Sequence, residues 1–100
     1  MRIEFDPAKD ATNRAKHGVS LMQTLALDWE SALARVDDRR DYGETRMLAF
    51  VEHGGTLYHV VFVERGPAKR IISLRRANRR EVKKYVWKTQ APQAHHADVG

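Results

Sequence analysis

Hydrophobic and polar positions change their spacing several times along the chain, and each change marks an element. Arg2 to Phe5 alternates as a short strand. Asp6-Pro7 then starts a helix: Asp6 can accept from the first free amides, and proline at the first helical position gives up an N–H that has no partner there. Ala8, Ala11, Thr12 and Ala15 share one face at helical spacing, with Lys9, Asn13, Lys16 and His17 opposite; Gly18 ends the helix. Ser20 and Gln23 form a capping box for a second helix, whose apolar stripe reads Leu21, Met22, Leu25, Ala26 and Trp29. Ala32 to Val36 reads as another short strand. The charged loop from Asp37 to Gly43 shows no obvious chemistry.

The centre reads as a β-meander. Arg46 to His53 and Thr56 to Glu64 flank Gly54-Gly55, a pair suited to a tight hairpin, and Gly66-Pro67 turns the chain again into Lys69–Arg76. If Gly54-Gly55 is the turn centre, Arg46 faces Val63, Leu48 faces Val61 and Phe50 faces His59. A second turn near Pro67 sets Ile71 across from Val63, Ser73 from Val61 and Arg75 from His59. One face of the sheet then carries Met47, Ala49, Val51, Tyr58, Val60, Phe62, Ile72 and Leu74 as a core. The other carries Arg46, His59, Ser73 and Arg75 among apolar neighbours. A last helix opens at Asn78 with Glu81 at the third position; Val82, Tyr85 and Val86 form its apolar face, Arg79, Arg80, Lys83, Lys84 and Lys88 its basic one. The expectation is an α+β fold: a small antiparallel sheet with two N-terminal helices and one C-terminal helix.

One hundred residues make one domain, placed at residues 1–88, and the small polar aperiodic stretch over residues 89–100 reads as a disordered tail. Its His95-His96 pair is read as binding nothing specific. There is no cysteine, no apolar run of membrane-spanning length and no secretory h-region in Met-Arg-Ile-Glu-Phe-Asp, which together fit a reducing cytoplasm and no membrane. Charge changes the picture more. From Arg65 to Lys88 ten basic side chains accompany one acid, Glu81, whereas residues 1–64 hold 8 basic and 11 acidic ones. The formal +5 is concentrated on one strand–helix unit, a local field that attracts polyanions, nucleic acid above all.

Metal-ligand spacing, nucleophile elbow, phosphate loop and neighbouring carboxylate pair are all missing from the sequence, so neither metal nor cofactor is expected. The residue types that remain suit RNA cleavage by its own 2′-hydroxyl. That reaction asks the protein to align the 2′-oxygen, move two protons and neutralise charge at phosphorus. Arginine forks match two phosphate oxygens but donate protons poorly, which leaves Lys9, His17, His59 or Glu64 for proton transfer. Each has a plainer reading, as a solvated helix face, a packed histidine, a complement to a helix dipole or an ion-pair partner.

The motif order resembles a known family. Phe5-Asp-Pro-Ala-Lys9, Asn13 and Lys16-His-Gly-Val-Ser20, then Asp41-Tyr-Gly-Glu-Thr-Arg46, then Arg70-Ile-Ile-Ser-Leu-Arg-Arg-Ala-Asn-Arg-Arg-Glu81 are similar to the start, centre and C-terminal signature of the BrnT toxins. The resemblance implies a RelE-like fold and the toxin of a type II toxin–antitoxin pair, a ribonuclease that arrests translation. It also implies neutralisation by a BrnA-like antitoxin with a DNA-binding domain, whose complex with the toxin represses their own operon. DNA is thus met only through the antitoxin. Carried onto matching positions, Lys9, His17, Arg46, Arg65 and Arg75 are the expected catalytic residues and Arg76 and Arg79 expected RNA contacts; Arg80 and Lys83, on the basic face of the last helix, are expected to join those contacts. Met22, Leu74 and Leu27-Asp-Trp-Glu30 depart from the family pattern. The competing reading is a basic binding module without chemistry, a co-repressor scaffold for a DNA-binding partner. A helix-turn-helix reader fits less well, because the second helix has no basic face.

Overall fold

The computed structural model describes the backbone of residues 1–99 and the side chains of residues 1–89. Among the described residues, five strands and two α-helices follow in the order β1 (Arg2–Glu4), α1 (Pro7–His17), β2 (Leu33–Asp37), β3 (Arg46–His53), β4 (Thr56–Arg65), β5 (Ala68–Arg76) and α2 (Arg79–Val99). Two 3₁₀ helices, Leu21–Ala26 and Trp29–Ser31, lie between α1 and β2. The α+β expectation holds, but the sheet is mixed and not purely antiparallel. Its strand order is β1-β5-β4-β3-β2, and β1 runs parallel to β5, with Arg2 beside Ala68 and Glu4 beside Arg70. No helix among the described residues is long and apolar enough to cross a membrane. Side chains from Gln90 onward, those of the expected tail with His95 and His96 among them, lie outside the described residues.

The caps of α1 form as the sequence requires. Asp6 Oδ1 accepts from the Ala8 N–H at 2.9 Å, and Gly18, at φ 73°, donates to the Arg14 carbonyl. Its packed face is a different one from the alanine stripe. Ala8, Ala11, Thr12 and Ala15 are exposed, while Asp10, Asn13 and His17 turn inward. Polar contacts decide this. Asn13, 5 % exposed, donates to the Val19 and Leu74 carbonyls at 2.9 and 2.7 Å and accepts from the Leu74 N–H at 3.1 Å. It stands in for the strand that β5 lacks once β1 has ended. Asp10 accepts from the Ser20 hydroxyl and the Leu21 N–H, tying the next segment to α1.

That segment is 3₁₀ and not α, so its buried positions recur every three residues: Leu21, Thr24, Leu27. Met22 and Leu25, expected on an apolar stripe, are exposed. Leu21 and Leu27 join Ala49, Val51, Tyr58, Val60, Phe62, Ile71 and Leu74 in the core, with Trp29 packed edge-on against Phe62.

The β3–β4 register is as read, with Leu48 opposite Val61 and Phe50 opposite His59. On β5, Ser73 pairs with Val61 and Arg75 with His59 as expected, but Ile71 pairs with Phe62 instead of Val63. An irregularity at Val61/Phe62 makes Ile72 an extra residue, so Ile71, not Ile72, enters the core.

Candidate active site

The face of the sheet away from the core carries Phe50, His59 and Arg75 in one row across β3, β4 and β5. The N-terminal turns of α2 wall this row on one side with Asn78, Arg80, Glu81, Lys84, Tyr85 and Lys88. Leu33, Ala34 and Arg35 of β2, with Arg39, wall it on the other. Between them lies a cleft of about 580 Å³. Six of its lining residues are arginine or lysine, against one carboxylate.

That carboxylate is fully engaged. Arg75 Nη1 and Nη2 donate to Glu81 Oε1 and Oε2 at 2.7 and 2.8 Å. Glu81 Oε1 also accepts from the Asn78 N–H, and Asn78 Oδ1 accepts from the Glu81 N–H, both at 2.9 Å. This reciprocal box starts α2 and fixes the guanidinium at once. The Arg75 pairing holds the Glu81 carboxyl down at about 2, and Glu81 in turn raises the Arg75 guanidinium. Nη1 has a further contact with the Arg76 carbonyl at 3.3 Å. Among the described residues the Nε side of the fork keeps its donors free, two parallel N–H groups spaced for two phosphate oxygens.

His59 is half-buried beside it, edge-on to Phe50 at 5.3 Å. Its Nδ1 is sealed from solvent without a hydrogen-bond partner among the described residues. Burial first, and then the charge of Arg75, pushes the imidazole down to about 4, so it is neutral at pH 7. Phe50 also meets Tyr85 at 6.5 Å, and burial raises the Tyr85 phenol. Aromatic rings thus floor a cation-rimmed cleft.

The charged loop after β2, expected to carry no chemistry, sets one rim. Asp37, 4 % exposed, accepts from Arg39 Nε and Nη2 at 2.8 and 2.9 Å and from the Tyr42 hydroxyl at 2.9 Å. Those donors hold its carboxyl far below the usual range. A buried acid thereby orients Arg39.

The residues expected from the sequence are distributed over four places. Arg75 and Arg80 line the main cleft. Lys9 and His17 line a second, smaller cleft of about 350 Å³ between α1 and β5, with Lys16, Ile72 and Ser73. His17 is lowered by burial, then by Lys16 and Arg75; since Arg75 also lowers His59, its charge is felt in both clefts. Arg46 and Arg65 are not brought to this end. Arg65 lies six residues beyond His59 on β4, about 20 Å at strand spacing, in an ion pair with Glu44 at 3.2 Å. The Arg46 guanidinium stacks 4.2 Å from the Tyr42 ring centre. Arg76, Arg79 and Lys83 are exposed and outside both linings. Glu64 pairs with Lys69 at 2.9 Å.

Several cleft residues carried no functional expectation: Arg35, Arg39, Phe50, Tyr85 and Glu81. For Glu81 a signal existed, a lone acid in a basic segment six residues after Arg75.

No curated protein matches the chain. Residues 5–81 match the family model described as the ribonuclease toxin, BrnT, of a type II toxin–antitoxin system. That span begins at Phe5, takes in every strand but β1, and ends on the carboxylate that clamps Arg75. The chain therefore belongs to the BrnT family of ribonuclease toxins, with RNA as its substrate and an antitoxin as its partner.

Proposed function

We propose that the cleft over Phe50, His59 and Arg75 cuts RNA by attack of the substrate's own 2′-hydroxyl, without a metal ion. The observation that carries this reading is the neutral His59 set directly across β4–β5 from a clamped arginine with a free fork. His59 takes the 2′-proton as the 2′-oxygen bonds to phosphorus. The P–O5′ bond breaks, leaving a 2′,3′-cyclic phosphate and a 5′-hydroxyl. In-line attack puts the departing oxygen on the side away from the base, so a second group must protonate it. Lys84 and Lys88 supply ammonium groups on the α2 wall for that step. Arg75 neutralises the charge that gathers on the non-bridging oxygens. An arriving phosphate also offsets the cations that depress His59, raising its basicity when substrate is present.

The sequence motifs imply a RelE-like arrangement and a BrnA-like antitoxin, and we adopt both, with DNA reached only through that antitoxin and the reaction taking place in the cytoplasm. The test is direct. Antitoxin-free protein incubated with RNA in EDTA is expected to yield fragments ending in 2′,3′-cyclic phosphate, and Arg75→Ala to abolish them. Intact RNA, or fragments ending in a 3′-hydroxyl, refutes the mechanism.

A further inference from the structure

The fold closes most of its β-sheet margin and leaves one stretch open. β1 is only three residues long, and β5 beyond it is capped by Asn13. β2 has no such cover among the described residues. It is the outermost strand, it bonds only to β3 through five unbroken pairs, and it contains no proline, glycine or bulge, devices that commonly blunt an edge.

Its outward groups can be counted. Gly54 and Gly55, at φ 58° and 79°, close a two-residue hairpin, so the flanking His53 and Thr56 form a hydrogen-bonded pair. Alternation from there turns the Arg46, Leu48 and Phe50 backbone toward β2. Their partners Asp37, Arg35 and Leu33 are thus bonded inward, and Ala34 and Val36 send N–H and C=O outward. Leu33 and Val36 are also 38 % and 52 % exposed. Arg35 and Arg39 stand along the same margin, at the rim of the cleft.

We propose that β2 receives an extended acidic segment of the antitoxin as a sixth strand, its carboxylates reaching Arg35 and Arg39. This rests on the antitoxin partnership and not on the cleavage chemistry. Charge selects the occupant. A second copy of the chain, paired antiparallel over the whole of β2, would set Arg35 directly against Arg35, and like charges across a strand pair repel. RNA would answer the arginines but neither the alternating backbone groups nor the apolar side chains. An acidic strand answers all three. Glu81 already shows how a carboxylate occupies an arginine of this cleft. Neutralisation then comes from carboxylates placed where phosphates would bind.

Amide hydrogen exchange by NMR tests this on the full chain, free and in complex with its cognate antitoxin. The Ala34 and Val36 amides are expected to exchange fast in the free protein and to slow by at least about tenfold in the complex, with the inward-bonded Arg35 amide as reference. Val36→Pro removes an outward donor and is expected to weaken antitoxin binding at least about tenfold, leaving RNA cleavage by the free chain unchanged. A complex in which both amides keep their free rates overturns the proposal, as does wild-type affinity of Val36→Pro. Protection already present in a free chain that sediments as a dimer overturns it in favour of a second copy. Failure of the cleavage mechanism would appear separately, as intact RNA in the EDTA assay.

Discussion

Replacing Asn13 with alanine is the sharpest test of how α1 supports the cleft. The side chain makes three hydrogen bonds at 2.7 to 3.1 Å, all to backbone groups, from a site 5 % exposed. Truncation strands two carbonyls and one N–H. A buried backbone group left without a partner costs about 1–3 kcal/mol. Water reaching one of them along the open end of β5 lowers the sum, so the expected loss is about 3–5 kcal/mol. That is a large part of the roughly 5–15 kcal/mol that holds a small domain folded. In urea the midpoint should fall by about 2 M with an unchanged slope, taking a slope of about 2 kcal/mol/M. Asn13→Asp gives an independent check. It keeps the acceptor for the Leu74 N–H but aims a carboxylate at two carbonyls, which raises the carboxyl's folded pKa. The Asn13→Asp variant should therefore be unstable at pH 7 and recover as the pH falls and the acid regains a proton to donate. An alanine variant losing less than about 1 kcal/mol, or an aspartate variant of wild-type stability at neutral pH, would show that Asn13 does not anchor β5.

Further outcomes can be measured. Because the His59 imidazole is lowered to about 4, kcat/KM for RNA cleavage should stay level from pH 7 to about 5 and decline only below; a fall centred near the ordinary 6.5 contradicts the assignment. By linkage the folded state resists protonation there, so stability should drop by roughly 1–2 kcal/mol as pH falls from 6.5 through 4, after discounting for solvent in the cleft. His59→Asn should flatten that segment of the curve. Glu81→Gln should lower the melting temperature at pH 7 through a loss of roughly 1–2 kcal/mol, similarly discounted. Since the Glu81 carboxyl is depressed to about 2, its contribution is complete above 4.5 and vanishes as pH falls through 2, so the gap to wild type must close over that range. Single-stranded RNA binding should weaken with salt by about 0.7 log units per log unit for each phosphate held. Arg80→Ala with Lys84→Ala should make that slope shallower by about 1.4, and an unchanged slope would remove both residues from the phosphate path.

Local signals were the legible ones. Asp6, Pro7 and Gly18 bound α1 because capping is chemistry between near neighbours, and Gly54-Gly55 fixed the hairpin register, which brought His59 opposite Phe50. What escaped depended on distant partners. Alanine spacing pointed to the exposed side of α1, because three hydrogen bonds from Asn13 outweigh the little apolar area that alanines can bury. Met22 and Leu25 fit a stripe of period 3.6, whereas the segment winds with period three. Asp37 looked like one charge among many in its loop, since only the fold shows that Arg39 and Tyr42 close over it. The place of Arg75 at a strand–helix junction, across from His59, was readable. Its separation from Arg46 and Arg65 was not, because sequence order does not say which end of a sheet two residues occupy.

The surplus residue in β5 decides which way Arg75 faces. Arg65 and Ala68 face each other across the preceding turn, and an uninterrupted ladder from there would seat Leu74 opposite His59 and drive Arg75 into the oily layer. Ile72 resets the phase. Losing that isoleucine alone would leave the arginine outward, since Ser73 would follow Ile71 in ordinary alternation. Losing or gaining one codon between Ser73 and Arg75 would invert it, so the spacing of those three residues decides the face that Arg75 takes more tightly than the identity of any one of them.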